Sequence, residues 1–306
     1  MGVDSRVCQG KNLVFIVGCP RSGTTWLLRL LASHPRVRPG LETNLFRRYI
    51  GPELRAWRRE VDRLNKIASG KLRDRAYGLP YFLTEIEFLN ALRDHTLALM
   101  RPLLVNLRSD ELLLEKTPDH ALFLPEISQV LPQARIIHII RDPRDVVASV
   151  LSLSRDIGLD WAPKNPRVAA RMWVASVKSV REGAKSLTKQ QFFETRFEDL
   201  LESTLDELRR LSNFLELEWE PEVLEAAISK NTAHAGKEEQ GSNLGRAGGE
   251  AARLAGEAAR IGPPRVIRKG KAGGWKDDLS ATEKFWVWWV ARKEMDLSGY
   301  HWARPW

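Results

Sequence analysis

Twice along this chain a continuous apolar run ends in a turn bearing glycine or proline and passes directly into a helical pattern, an arrangement that few folds accommodate. Leu13 to Gly18 reads LVFIVG, rich in β-branched residues and bounded by Gly-Cys-Pro, as expected of a strand buried on both faces in a parallel sheet. The periodicity then predicts a helix over Thr24–Ser33, which His34-Pro35 ends because the residue before a proline is pushed out of the helical region. The second run, Arg135 to Arg141 (RIIHIIR), leads into a predicted helix over Arg144–Leu153 with Asp142 as N-cap and Pro143 in its first position. Weaker strand signals lie at Leu112–Glu115 and Gln191–Thr195. Helical patterns fill Pro52–Ser69, Tyr81–Met100, Pro166–Ser186, Leu200–Leu215 and Ala281–Asp296. Strands alternating with helices predict an α/β fold, a central parallel sheet flanked by helices, with residues 1–306 forming a single domain.

A chain of 306 residues buries roughly three quarters of its unfolded surface and needs no covalent staples. Cys8 and Cys19 cannot make a disulfide framework, the segment Met1–Lys11 is polar, and no stretch approaches the ~20 apolar residues of a membrane span. The expectation is a reduced, cytoplasmic protein. Its formal charge of +9 points to an anionic partner, and Arg47, Arg48, Arg55, Arg58 and Arg59 form a local basic cluster. Residues 237–264 shift to Gly, Ala, Arg and Glu, which predicts a mobile loop with a short helix at Gly249–Ile261. The rings of Phe285, Trp286, Trp288 and Trp289 read as core packing.

Gly18-Cys-Pro-Arg-Ser-Gly-Thr-Thr25, between strand and helix, is an anion cradle: its backbone N–H groups and the helix dipole aim at a phosphate. Against the phosphate-loop pattern G-x-x-x-x-G-K-[ST] the spacing holds, but Thr24 stands where a lysine would reach a triphosphate. Arg21 can supply that cation as a planar fork. Two readings compete with a site for a smaller phosphorylated ligand. One is a phosphate-loop small-molecule kinase with Thr25 on Mg²⁺, and the other is a non-enzymatic polyanion-binding protein using the arginine cluster.

The segment P-R-S-G-T-T-W, Pro20 to Trp26, resembles the 5′-phosphosulfate loop of sulfotransferases that use 3′-phosphoadenosine 5′-phosphosulfate (PAPS). Arg141-Asp-Pro-Arg-Asp-Val-Val-Ala-Ser149 is similar to that family's 3′-phosphate motif, with Arg141 and Ser149 in the binding positions. Arg268-Lys-Gly-Lys-Ala-Gly-Gly-Trp-Lys276 resembles the cytosolic branch's closing segment, in which Arg268, Lys269 and Gly270 would meet the same phosphate. Thr195-Arg-Phe-Glu-Asp-Leu200 is similar to its R-Y-E-D-L segment, which brings Phe197 near the adenine. The resemblance implies a sulfotransferase fold, PAPS as co-substrate without a required metal, and a donor site of Arg21, Ser22, Gly23, Thr24, Thr25, Trp26, Arg141, Ser149, Phe197, Arg268, Lys269 and Gly270. For the base, Arg38-Pro-Gly-Leu-Glu42-Thr resembles the corresponding segment of tyrosylprotein sulfotransferases, which makes Glu42 the first choice. His120 is the second, displaced from the cytosolic branch's spacing, and Lys116 would stabilise charge on the sulfuryl oxygens and the leaving phosphate. The acceptor stays open among sugar, phenol, lipid and peptide, with no nucleic-acid partner expected and the oligomeric state undetermined.

Overall fold

The structure, a computed structural model, describes residues 10–40, 42–233 and 271–301. The predicted loop at 237–264, its helix, and Arg268, Lys269 and Gly270 lie outside the described residues.

β1 (Leu13–Val17) is buried along its whole length because it is the middle strand of a five-stranded parallel sheet. It is flanked by β3 (Leu112–Lys116) on one side and β4 (Arg135–Ile140) on the other. β2 (Val37–Pro39) and β5 (Phe192–Arg196) form the two edges, giving the order β2-β3-β1-β4-β5. Side chains alternate across a strand, so β1 serves both faces. Leu13, Phe15 and Val17 pack against α2 (Gly51–Ala68), α3 (Glu85–Leu104) and α4 (Leu124–Val130). Val14 and Ile16 meet α1 (Thr24–Leu31) together with residues of what become α7 (Phe197–Glu202) and α8 (Thr204–Leu215). Each fully buried side chain of this strand contributes roughly 1.5–3 kcal/mol. A third cluster joins α5 (Pro143–Ser152), α6 (Pro166–Ala184) and the C-terminal helix around Trp173.

Most predicted elements form within a few residues of their expected bounds, and Asp142 caps α5 by accepting from Arg144 N–H at 2.9 Å. The departures have local causes. The helix expected from Tyr81 begins at Glu85, where Thr84 and Glu87 form a reciprocal capping box. The helix expected over Leu200–Leu215 starts earlier and breaks at Ser203, separating α7 from α8. β2 is three residues long and ends in proline, too short for periodicity to register. Neither α4 nor α9 (Pro221–Ala233) was anticipated from the sequence pattern. After α10 (Trp275–Asp278), α11 (Ala281–Leu297) buries Val287, Ala291, Glu294 and Met295. Helical spacing thereby leaves Phe285, Trp286 and Trp288 half-buried and Trp289 exposed, so these rings flank the core instead of filling it.

Because all five strands run parallel, their C-terminal ends lie along one edge of the sheet. At that edge lie the loop after β1, Gly40 and Glu42 after β2, Lys116 at the end of β3 with Thr117 after it, Arg141–Asp142 after β4 and Phe197 after β5, the place where open α/β sheets hold ligands.

Candidate functional site

The loop after β1 is shaped by close approach. Gly18 lies so near β4 that a Cβ would sit 2.5 Å from the Ile139 carbonyl oxygen. Gly23 combines φ +99° with a would-be Cβ 2.5 Å from the Phe197 ring. The turn closes through Ser22 N–H to the Cys19 carbonyl at 3.0 Å. Ser22 is fully buried, and its Oγ has no hydrogen-bond partner among the described residues. α1 then starts with no side-chain cap and no acidic residue in its first turn. The N–H groups of that turn have no intrahelical acceptor and point, with the positive end of the dipole, out of the sheet edge.

Two guanidiniums converge on this cradle. Arg21 donates from Nε to Ser149 Oγ at 3.0 Å. Arg141 donates to the Arg21 carbonyl at 3.1 Å and to the Lys271 carbonyl at 2.9 Å, and lies 4.3 Å over the Phe197 ring. Its Nε is buried without a hydrogen-bond partner among the described residues. Burial, then the neighbouring Arg141 charge, lowers Arg21 to about 10. Burial also lowers Arg141, against the opposing pull of Asp145, Glu198 and Asp142. Two like charges held together partly out of water are costly, and a bound polyanion relieves both. The buried donors Ser22 Oγ and Arg141 Nε therefore fit a phosphorylated ligand.

Trp26, half-buried, meets Phe197 edge to face at 5.6 Å. Phe197 itself is 4% exposed beneath Arg141 and Gly23, so it shapes the floor of the cradle. Arg21, Ser22, Gly23, Thr24, Thr25, Trp26, Arg141, Ser149 and Phe197 thus belong to one region. The segment that follows Gly270 is tied to it through Asp145, whose carboxylate accepts from Gly273 N–H at 2.7 Å and Trp275 N–H at 2.9 Å. Glu198, in the same region, accepts from Asp142 N–H at 3.0 Å and from the Tyr300 hydroxyl at 2.8 Å.

On the other side of β1, Lys116 at the end of β3 forms an ion pair with Glu42 from the loop after β2. The lysine side chain is 10% exposed and the glutamate 49%, so the carboxylate faces solvent while the ammonium backs it from within. Beside them Glu115 is fully buried. It accepts from Thr43 N–H at 2.9 Å, Thr43 Oγ1 at 2.7 Å and Thr117 Oγ1 at 2.5 Å, and lies 3.0 Å from His120 Nδ1. Burial alone would raise this carboxyl, but His120 and the two threonines hold it below the ordinary glutamate value. His120 is also fully buried. Its Nε2 accepts from Phe46 N–H at 3.2 Å and its ring packs edge-on against Phe15 and Phe46. With Nε2 taken up by Phe46 N–H and Nδ1 close to Glu115, it sits behind Glu115 and away from the Glu42–Lys116 pair's exposed side.

Glu115, Thr43, Thr117 and Asp145 were not singled out from sequence. The available signal was a charged residue closing the apolar strand LLLEK, where burial demands partners. Three members of the arginine cluster make intramolecular contacts: Arg47 pairs with Asp119, Arg55 covers Phe123 at 4.5 Å, and Arg58 donates to Gln129 at 2.7 Å, while Arg48 and Arg59 are exposed. No helix among the described residues is long and apolar enough to cross a membrane.

A model of the sulfotransferase family matches residues 13–221. A putative protein-tyrosine sulfotransferase of Caenorhabditis briggsae is 28% identical over 216 residues, covering 70% of this chain and 69% of that protein. Among solved structures, the sulfotransferase domain of the Synechococcus PCC 7002 olefin synthase superposes with a TM-score of 0.55 at 18% identity, covering 99% of both chains. Mouse sulfotransferase SULT7A1 complexed with PAP gives 0.53 at 14% identity, covering 93% of this chain and 84% of that one.

Proposed function

This chain belongs to the sulfotransferase family, and from that premise we propose that it transfers a sulfuryl group from PAPS to an acceptor hydroxyl or amine, with Glu42 as general base. The observation that carries the reading is the shared sheet edge: the Glu42–Lys116 ion pair follows β2 and β3, and the Arg21–Arg141 cradle follows β1 and β4. When bound, PAPS supplies the electrophilic sulfuryl group and a phosphate leaving group, and adenosine 3′,5′-bisphosphate is released.

The remaining work belongs to the protein's side chains. Arg21, Ser22, Gly23, Thr24 and Thr25 hold the 5′-phosphosulfate end, and Arg141 and Ser149 hold the 3′-phosphate, with Arg268, Lys269 and Gly270 closing over it. Trp26 and Phe197 bound the adenine side. Glu42 takes the proton of the acceptor. Protonation of Glu42 removes the anion that Lys116 faces, freeing the ammonium to stabilise negative charge where the acceptor is sulfated. His120, fully buried with its Nε2 held by Phe46 N–H, supports this arrangement from behind. The free, buried thiol of Cys19 suits a reducing compartment such as the cytoplasm.

The relative named a protein-tyrosine sulfotransferase makes a tyrosine peptide the first acceptor to try, ahead of aryl alcohols, aliphatic alcohols and amino sugars. The deciding experiment is thermal unfolding with adenosine 3′,5′-bisphosphate or with ATP and Mg²⁺, followed by ³⁵S transfer from PAPS to those acceptors. Stabilisation by the bisphosphate and labelled product are expected. Stabilisation by ATP alone would replace this reading with a kinase.

A further inference from the structure

Glu42 sits on a segment with no regular structure of its own, yet four consecutive amides after it are satisfied. Thr43 N–H reaches Glu115 Oε1 at 2.9 Å, and Asn44 N–H reaches Thr117 Oγ1 at 3.2 Å. Leu45 N–H reaches Thr43 Oγ1 at 3.2 Å, and Phe46 N–H reaches His120 Nε2 at 3.2 Å. Three of these acceptors lead back to one carboxylate. The Thr43 and Thr117 hydroxyls both donate to Glu115 Oε1, and His120 faces Oε2. A backbone N–H only donates, so His120 Nε2 accepts, and the ring proton lies on Nδ1, 3.0 Å from Glu115 Oε2. Asn44 is held at φ +52°, a left-handed conformation that the surrounding bonds must maintain. Adjacent residues of this segment and of the end of β3 are thereby joined twice, Glu42 to Lys116 and Thr43 to Glu115.

We propose that Glu115 is a positioning residue: this buried carboxylate, with Thr43, Thr117 and His120, fixes the loop after β2 so that Glu42 meets Lys116 in the geometry proton transfer requires. The proposal rests on the reading of Glu42 as base. Glu115 stays out of contact with substrate and acts through the loop. His120 is the rear support of the same device, which gives a buried histidine next to the site a role other than acid–base chemistry.

The test compares Glu115→Ala, Glu115→Gln and Thr43→Val with the parent chain and with Glu42→Gln. Amide hydrogen exchange on the free protein is the first readout. Glu115→Ala and Thr43→Val are expected to speed exchange in the peptide spanning Glu42–Phe46 by about tenfold or more, with β1 and β4 unchanged. Glu115→Gln keeps an oxygen for both threonines and should speed it less. The second readout is ³⁵S transfer from PAPS to a tyrosine peptide, or to an aryl alcohol if that is the better acceptor. The turnover number should fall about ten- to a hundredfold, while bisphosphate affinity by calorimetry stays within about twofold. If Glu115→Ala fails to fold, Thr43→Val and Glu115→Gln decide. Unchanged exchange at Glu42–Phe46, exchange raised evenly across the sheet, or locally raised exchange with undiminished turnover would each overturn the proposal. An active Glu42→Gln would instead remove the base assignment, and the exchange result would still report whether Glu115 holds the loop.

Discussion

The two halves of the sheet edge solve different electrostatic problems. On the side of β1, β4 and β5, cations are concentrated: Arg21 and Arg141 lie half-buried next to each other, and their described hydrogen bonds include a serine hydroxyl and main-chain carbonyls. On the side of β2 and β3, charges come in opposite pairs, with Lys116 against Glu42 and Glu115 surrounded by donors. The first half leaves Ser22 Oγ and Arg141 Nε without hydrogen-bond partners among the described residues, as suits an arriving anion, whereas the second pairs its carboxylate with an ammonium and waits for a proton. Substitutions in the two halves should therefore separate donor binding from turnover.

The largest expected effect is at Glu42. Glu42→Gln keeps size and polarity but cannot accept the acceptor's proton, so turnover should fall about 10²- to 10⁴-fold while calorimetry shows bisphosphate affinity nearly intact. Near-parental turnover would break the division between the halves. Lys116→Met comes next, with an expected loss of about 10²- to 10³-fold in turnover, the scale of removing one preorganised electrostatic donor. Because Glu42 is half exposed it stays hydrated without its partner, so this variant should fold, as a thermal melt will show.

Arg141→Ala belongs to the other half. It should weaken adenosine 3′,5′-bisphosphate binding by about 1.5–3 kcal/mol, the range for hydrogen bonds involving a charged group, with a smaller effect on turnover at saturating PAPS. Equal affinity by calorimetry would take Arg141 out of the donor site.

The same division explains what the sequence revealed. The donor half is built from contiguous segments, Gly18–Thr25 and Arg141–Ser149, in which strand, turn, cap and helix signals lie next to one another. Its residues could be named and its Asp142 cap predicted because the causes are local. The transfer half depends on partners far apart in the chain: Glu42 is 74 residues from Lys116, and Thr43 is 72 from Glu115. Lys116 and Glu42 could be nominated separately from motifs, but their pairing could not. Glu115 looked like the end of a strand. His120 resembled a base only while its neighbours were unknown, since Phe46, which occupies its Nε2, lies 74 residues earlier. β2 escaped for a related reason: three residues carry no period, and it is pairing with β3 that makes it a strand.

The smallest expected effect concerns stability against pH, where one buried carboxylate from each half should behave oppositely. Glu115 is held below the ordinary value of 4.5, with His120 and the threonine donors outweighing burial. Its folded state binds protons less readily than the unfolded chain, so its contribution is present above that value and is lost as pH falls through the lower folded one. Asp145 is raised above 3.8 because burial outweighs the Gly273 and Trp275 amides and the Arg141 charge. Its contribution is present below 3.8 and is lost as pH rises through the higher folded value. Urea unfolding from about pH 3 to pH 7 should therefore show the stability gap between parent and Glu115→Gln widening with pH, while the gap for Asp145→Asn narrows. Trends of the same sign would mean that Asp145 is stabilised as an anion by the guanidinium beside it, and that the donor half is already charge-balanced before any ligand binds.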